Sequence, residues 1–567
     1  MARRWLRWVA VALIVSGIAI AVAFPDQAAR AAQLPLFAVY SLSRMVAAYL
    51  LALAFAIGYG TTAALNKKAA VVMLPLLDIL QSVPILGFFP AALVFFVRTF
   101  QGSAVGLEFA VVFLIFTSMA WNMAFGVYEA VSTIPKDLED ATASFGLKDW
   151  LRFRRLVLPA AIPRLVYNSI LSWANGWFFL VASEIFTVGA TYTRPGLGAY
   201  IAQAGSAGDV GAILVGIGAL AAVVLTLDTF VWRPLSVWSE RYRMETVAGR
   251  EVPHAPGLYA RLQWLPRFPR LRQRVAGRLR PIAAAYARTS VRWDRFYTGH
   301  IRMMRTLRRV DLALFLAVFL IVLTTGLTGL VGLLFQPLPA GATEIPEAAL
   351  RSLLRLALAY AASLAWTVPM AFFIGRSPRA SRVLTPAMEV FASIPATALL
   401  PLILGVSIAF ASAGHLEAEL AAFLIALFAM QWYLLFNLIA GVRAIPSDLD
   451  EAARSFGLRG YTYIRRFLLP AVMPSLLTGS ITAWGAGWNA TVVSEFIHFG
   501  GQVYRVPGLG ELMNRATFGV PALGVLPDSD LLLLTILSMI LVVLATNKLL
   551  WRPLFERALK RYRIEVQ

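Results

Sequence analysis

Apolar stretches of roughly 20 residues, long enough to cross a hydrocarbon core at ~1.5 Å rise per residue, recur along the chain between short polar breaks. They fall near 5–24, 40–63, 71–97, 106–128, 164–188 and 210–232. A second set follows near 311–335, 348–374, 383–410, 418–441, 475–499 and 530–551. None shows the two-residue alternation of a barrel strand, so the pattern predicts about twelve membrane helices, six in each half. The break between the fourth and fifth spans is charged in both halves. It reads IPKDLEDATASFGLKDWLRFRRLVLPAAIP at 134–163 and IPSDLDEAARSFGLRGYTYIRRFLLPAVMP at 445–474. Pro135 and Pro446, Gly146 and Gly457, and Pro159 and Pro470 all stand 311 positions apart. A register held without a gap marks a tandem duplication, so the two halves should be built alike. The expected fold is an all-α polytopic membrane protein divided into a first unit (1–240), a linker (241–310) and a second unit (311–567).

Composition fits this reading: 59% of residues are hydrophobic, 14% are charged, and the mean hydropathy is +0.71. A soluble fold could not hide that much apolar surface. Cysteine is absent, which excludes a disulfide framework and a thiolate metal site; no metal site is expected. The opening MARRWLRWVAVALIVSGIAIAVAF carries a weak cleavage pattern after its apolar run. Because Leu34-Pro35 leads straight into another span, it reads as a retained first helix rather than a signal peptide.

Charge orients the helices. With a cytoplasmic N-terminus, the inside segments hold Arg3, Arg4, Arg7, Lys67, Lys68, both repeated segments, Arg376, Arg379, Arg382 and the Arg-rich C-terminus. The outside loops then carry Glu344, Glu347, Glu417 and Glu419, which satisfies the positive-inside rule and puts both termini in the cytoplasm. The net charge of +21 is concentrated in residues 241–309, where 17 arginines face only Glu245, Glu251 and Asp294. A basic, proline-bearing tether beside a membrane is expected to lie on anionic lipid headgroups, with Trp264, Phe268 and Tyr297 at the interface. Docking on a cytoplasmic partner is the alternative for this tether. Nucleic acid is not an expected partner.

Within each repeated segment the residues predict a short helix. Pro135 or Pro446 opens it, where a missing N–H costs little. Asp137 and Asp140, or Asp448 and Glu451, sit near its positive end. Gly146 or Gly457 suits its C-terminus or a reversal needing positive φ. Cations follow, and then Leu158-Pro159 or Leu469-Pro470 enters the next span. This is a lever: a small cytoplasmic helix attached to a membrane helix.

The spacing Glu451-Ala452-Ala453, Gly457, Phe467, Leu469-Pro470 resembles the cytoplasmic loop of binding-protein-dependent ABC importer permeases. The first copy reads Asp140-Ala141-Thr142, Gly146, Leu156, Leu158-Pro159, departing from the family pattern at Asp140 and Thr142. Further paired motifs point to the nitrate, sulfonate, taurine and bicarbonate branch, with both permease units fused in one chain. LPLLDILQSVPILGFFP at 74–90 matches TPAMEVFASIPATALLP at 385–401, and WANGWFFLVASE at 173–184 matches WGAGWNATVVSE at 484–495. Pro195-Gly196-Leu197-Gly198 matches Pro507-Gly508-Leu509-Gly510, and Ser41-Leu42 with Arg44 matches Ser352-Leu353 with Arg355.

The resemblance implies two six-helix units about a pseudo-twofold axis along the membrane normal, in an inner membrane. It also implies that each lever docks on one of two ABC ATP-binding subunits. An extracytoplasmic substrate-binding protein would deliver the substrate, and transport would follow alternating access. No G-x-x-x-x-G-K-[ST] phosphate loop occurs, so no catalytic residue and no cofactor are expected in this chain; ATP and Mg belong to the partner subunits.

For the pathway, Pro84 and Pro90, with Pro395 and Pro401, break the third span of each half just after Asp78 and Glu389, and Ser82 and Ser393 beside them are candidates to line or gate it. Broken membrane helices are tolerated where they line a cavity. Glu184 and Glu495 end the fifth span; a negative group is a poor host for an anion, so they are expected to bond neighbouring helices or gate the outer face. Arg44 and Arg355 either draw an anion inward or snorkel to headgroups. Trp173 and Trp177, like Trp484 and Trp488, share one helical face that meets either the pathway or the core. Asn175 and Asn489 are not equivalent, so the pathway need not be symmetric. The repeated Trp-Arg-Pro-Leu at 232–235 and 551–554 reads as an interface anchor. The expected function is import of a small anion. A fused permease for iron or thiamine, a secondary transporter needing no ATPase, and a membrane scaffold built on the Arg-rich linker are the alternatives.

Overall fold

The computed structural model describes residues 32–242 except 83, 148 and 189–193, scattered positions between 324 and 335, and 337–562 except 411–415 and 520–525. The expected first span of each half and nearly all of the 241–310 linker lie outside the described residues. Seven described helices are long and apolar enough to cross a membrane.

In the first half the chain runs through α1 (Leu34–Leu65), α2 (Lys67–Ser82), α3 (Ile85–Thr99), α4 (Ala104–Ser132) and the lever α5 (Lys136–Ser144). It continues with α6 (Leu158–Val188), the ten-residue α7 (Leu197–Ser206) and α8 (Val210–Leu227). The second half repeats the order: α9 (Ile345–Arg376), α10 (Pro378–Ala392), α11 (Leu400–Phe410), α12 (Glu417–Arg443), the lever α13 (Ser447–Ser455) and α14 (Leu469–Ser494). After it come the hairpin strands β1 (Phe496–Phe499) and β2 (Gln502–Arg505), then α15 (Leu509–Phe518) and α16 (Ser529–Thr546).

The third span of each half is broken at the first proline of its pair: α2 stops before Pro84, and α10 stops at Ala392 before Pro395, whereas Pro90 lies inside α3 and Pro401 in the first turn of α11, so the second proline breaks neither. Two expectations are corrected. The span placed at 475–499 ends at Ser494, and the chain turns into an antiparallel hairpin pairing Phe496 with Arg505 and Phe499 with Gln502. Between the fifth and sixth long helices each half also inserts a short helix, α7 or α15, too short to register as a span.

Proline shapes the long helices by one device used four times. Five-residue π turns, Phe153–Val157 and Ile464–Leu468, precede Pro159 and Pro470; Asp228–Trp232 and Asn547–Trp551 precede Pro234 and Pro553. A proline ring clashes with the carbonyl four residues back and cannot bond it, and the widened turn moves that carbonyl aside. The helices therefore continue: α6 and α14 run back through their π turns into the one-turn helices Asp149–Arg152 and Gly460–Tyr463, which follow the levers.

Trp173 packs on Tyr49 and Trp232, with ring centroids 5.5 and 5.3 Å away, and Trp484 packs on Tyr360 and Trp551 at 5.8 and 5.7 Å. All four of Trp173, Trp177, Trp484 and Trp488 are buried in the two apolar cores. Trp232 and Trp551 are buried with them, so Trp-Arg-Pro-Leu locks the last helix onto the fifth instead of floating at an interface.

The cores interpenetrate. Ile85, Leu86, Phe89 and Leu93 of α3 belong to the core of the second half, and Ala398, just before α11, belongs to that of the first.

Candidate functional site

Each lever is a nine-residue helix opened by a proline in extended backbone, Pro135 at ψ 138° and Pro446 at ψ 140°. Its first turn holds acids, Asp137 and Glu139 or Asp448 and Asp450, which suit the positive helix end. It closes with a left-handed glycine, Gly146 at φ +68° and Gly457 at φ +76°. The Leu147 N–H donates to the Thr142 carbonyl and the Gly146 N–H to that of Ala143, at 3.0 and 2.9 Å. Leu458 and Gly457 do the same to Ala453 and Arg454, completing a six-to-one, five-to-two helix stop in both halves.

Asp137, Asp140 and Ala141, like Asp448, Glu451 and Ala452, lie exposed, whereas Ala453 is buried beneath its lever. Leu158, Pro159, Leu469 and Pro470 sit in the root where lever becomes membrane helix. Sequence reasoning passed over the aromatic tips, Phe145 and Phe456, 82% and 85% exposed beside the glycines.

The two levers are braced differently. Glu139 pairs with Arg152 at 2.6 Å. At the matching positions Tyr463 donates to Asp450, Arg376 lies 4.4 Å over the Tyr463 ring and 3.7 Å from Asp450, and Arg454 bonds Asp450 at 3.1 Å. These partners hold the Asp450 carboxyl below the usual carboxylate range, chiefly through the Tyr463 hydroxyl.

At the other end of the helices each half contains a buried charge knot. Glu184, fully buried, accepts from the Ser41 hydroxyl at 2.8 Å, Arg44 Nη1 at 2.6 Å and the Gly198 N–H at 2.7 Å. Arg44 also donates to Glu108 at 2.7 and 2.8 Å and to the Pro195 carbonyl at 3.0 Å. The Leu197 N–H donates to the Ser41 hydroxyl at 2.9 Å.

The second half repeats the knot. Glu495 accepts from Ser352, Arg355 and the Gly510 N–H, Arg355 donates to Glu419 at 3.0 Å, and the Leu509 N–H donates to Ser352 at 2.9 Å. Pro-Gly-Leu-Gly thus delivers the N-terminus of the short helix onto a carboxylate, where helix dipole and N–H groups favour a negative charge. A side chain at Gly196 or Gly508 would collide with that carboxylate. Arg44 and Arg355 are 5% exposed and matched by acids on the spot, so their charge is spent inside the fold. The knots differ in balance: Arg194 lies 3.6 Å from Glu108, and no described residue forms an equivalent ion pair with Glu419.

The seam between the halves carries one contact written twice. The Leu86 N–H donates to Asn489 Oδ1 at 3.0 Å, and the Thr397 hydroxyl donates to the Phe178 carbonyl at 3.1 Å. Leu86 and Thr397, like Phe178 and Asn489, stand 311 apart, so one pseudo-twofold axis relates both contacts. Pro84 and Pro395 start the segments that make them; the Ser82 side chain lies outside the described set, and the Ser393 hydroxyl bonds the Val390 carbonyl of its own helix. Tyr433 donates to Asn175 Oδ1 at 3.4 Å across the same seam. The hairpin tip adds a final clasp, Gly500 and Gly501 donating to the Gly205 and Ser206 carbonyls of α7 at 2.9 and 2.7 Å.

Among known proteins, 202 residues (36% of this chain) are 26% identical to the bicarbonate transport system permease protein CmpB of Synechococcus elongatus, covering 66% of it. A stretch of 146 residues, 26% of this chain, is 30% identical to the nitrate import permease protein NrtB of Leptolyngbya laminosa, covering 50% of it. The taurine transport system permease protein TauC of Escherichia coli K12 is also 30% identical over 146 residues, 26% of this chain and 50% of that protein. The chain thus spans less than two thirds of the length of each. Residues 35–232 and 367–560 each match the family described as binding-protein-dependent transport system inner membrane component. With both halves matched and the same knot, lever and seam built in each, the chain belongs to this family of multi-pass inner-membrane permeases and carries its unit twice.

Proposed function

We propose that the chain is the membrane permease of an ATP-driven importer for a small anion. Both termini and both levers face the cytoplasm, and each lever seats in a groove of one ABC ATP-binding subunit, where ATP and Mg are used. The paired levers carry this reading. Each is a glycine-stopped helix with an exposed acid and small-residue face and an exposed phenylalanine, followed across its turn by a one-turn helix that continues through a π turn into a membrane helix reaching the seam. A helix so rooted moves the seam when its tip is displaced, which is what alternating access requires.

An extracytoplasmic binding protein delivers the anion, and the Arg-rich linker binds anionic headgroups. The relatives named for bicarbonate, nitrate and taurine support an anionic cargo.

Proteoliposomes holding the chain with its genomic-neighbour ATPase and binding protein test the proposal. ATP-dependent uptake lost in Glu451→Lys with Phe456→Ala supports it. Uptake that persists without any ATPase overturns it in favour of a secondary transporter.

A further inference from the structure

The two halves part company just after their buried glutamates. α6 stays helical through Ile185–Val188, whereas the matching residues of the second half, Phe496–Phe499, leave the helix as strand β1. The strand carries the chain out of its own half. Phe499 packs on the cores of both halves, and its ring lies over Gly405 of α11, where an added carbon would stand 3.1 Å from it. Gly205 of α7 lies against Pro401 of α11, where an added carbon would collide at 2.7 Å. Gly500 and Gly501, both exposed and at positive φ, then give their N–H groups to the Gly205 and Ser206 carbonyls in the last turn of α7, at 2.9 and 2.7 Å. Carbonyls at a helix end have no partner further along their own helix, so the hairpin caps α7 from the opposite half.

Two kinds of attachment therefore meet on α7. Its N-terminus is fixed to its own half by the Glu184 knot, an ion pair closed to water. Its C-terminus is held to the other half by two backbone bonds at an exposed tip, and water replaces such bonds with little net loss. Breaking the knot strands a buried charge, which is the far more costly event. When the halves separate at this end, the knot holds and the clasp gives way. Arg505 lies 5.4 Å over the Phe496 ring and His498 packs on the same ring at 5.2 Å, so the two strands move as one piece.

We propose that the β1–β2 hairpin is a one-sided outer latch: the second half straps itself to α7 of the first, closed in this structure and released when the halves separate at the extracytoplasmic end. The strap hinges where α14 gives way at Ser494, beside the Glu495 knot. On release the Gly500-Gly501 tip and the Phe499 ring leave with α11 and α14, while α7 stays on α1 and α6. Because α6 keeps its helix at the matching positions, the closure is built by one half and received by the other. That release serves uptake rests on the import reading above; the clasp itself does not.

The chain has no native cysteine, so paired substitutions read the latch directly. A carbon added to Gly208 lies 3.8 Å from the Gly500 Cα, within reach of a disulfide, whose Cα atoms stand roughly 4.4–6.8 Å apart. Gly208→Cys with Gly500→Cys, and Ser206→Cys with Gly501→Cys as a second pair, should close when the purified chain is oxidised with copper phenanthroline. Adding Phe499→Ala should slow closure several-fold, since it removes the ring that seats the tip. In proteoliposomes with the ATPase and binding protein, oxidation should cut uptake at least about tenfold, because a locked state contributes nothing to turnover, and dithiothreitol should restore it. Failure of both pairs to close, or closure that Phe499→Ala leaves unchanged, overturns the clasp. An oxidised complex that imports as fast as the reduced one overturns its release during transport. If the reduced complex takes up nothing, the import reading fails, and the closure rates of the chain alone still decide whether the clasp forms and opens.

Discussion

Replacing Glu184 with alanine removes the acceptor of three hydrogen bonds at once, from Ser41, Arg44 and the Gly198 N–H at 2.8, 2.6 and 2.7 Å. The site is closed to water, since Glu184 is fully buried and Arg44 nearly so. Removing one partner of a buried ion pair strands the other, at a cost of about 3–5 kcal/mol. A bond-by-bond estimate agrees in order of magnitude, because each bond to a charged group contributes roughly 1.5–3 kcal/mol and Arg44 keeps its Glu108 partner. Glu495→Ala should cost a similar amount, as its knot has the same three donors.

The assay is denaturant titration of the purified protein in micelles, followed by tryptophan fluorescence, with Arg44→Met, Glu184→Met and the double variant completing a cycle. Coupling on the order of 2 kcal/mol is expected between neighbours that share one network. Glu347→Ala, whose partner Arg351 is exposed, serves as reference and should fall within ~0.5 kcal/mol of the parent. Additive effects in the cycle, or losses below ~1 kcal/mol for both Glu184→Ala and Glu495→Ala, would refute the knots as the pins of α7 and α15.

Gly510→Ala should destabilise by ~1–3 kcal/mol, because the added carbon meets the Thr491 backbone carbonyl; the same titration reads it. Gly457→Ala meets no atom within 4 Å and loses only its left-handed backbone, ~1–2 kcal/mol locally. It should loosen the lever and reduce ATPase co-purification while leaving the global midpoint unchanged. Asp450 has a folded pKa below its ordinary value, so its stabilisation is present above that value and is lost as pH falls through the folded pKa. Tyr463→Phe removes the main cause and should move the loss of amide protection in 447–458 to higher pH, as measured by hydrogen exchange. Arg152→Ala, which frees Glu139, should loosen the first lever and leave exchange in the second unchanged.

Much of this was legible in the chain because duplication printed each essential group twice. Ser41, Arg44 and Glu184 each have a mate 311 residues on, and the knots are where those pairs meet. Their third acid is harder to see: Glu419 counts as an outside-loop charge, and only its match to Glu108, at the same interval, marks both as partners of the buried arginines. Periodicity located the long helices well, but a ten-residue helix such as α7 buries itself by tertiary contact and leaves no span-length signal. The hairpin after Ser494 hides in the sequence because three of the four residues Phe496–Phe499 are apolar, and its turn depends on Gly500 and Gly501 at φ +57° and +75°.

The exchange of core segments across the seam bears on how the molecule comes into being. Leu86 and Phe89 are buried in the second half's core, and Ala398 in the first's, so neither half can finish packing until the other has been synthesised. Two separately made subunits could also pair like with like, joining two first-half levers or two second-half levers in one particle. A single chain forbids that. Every particle holds one lever braced by Glu139 and Arg152 and one braced by Asp450 and Tyr463, in fixed one-to-one ratio, so the inequality of the two halves is inherited by every copy.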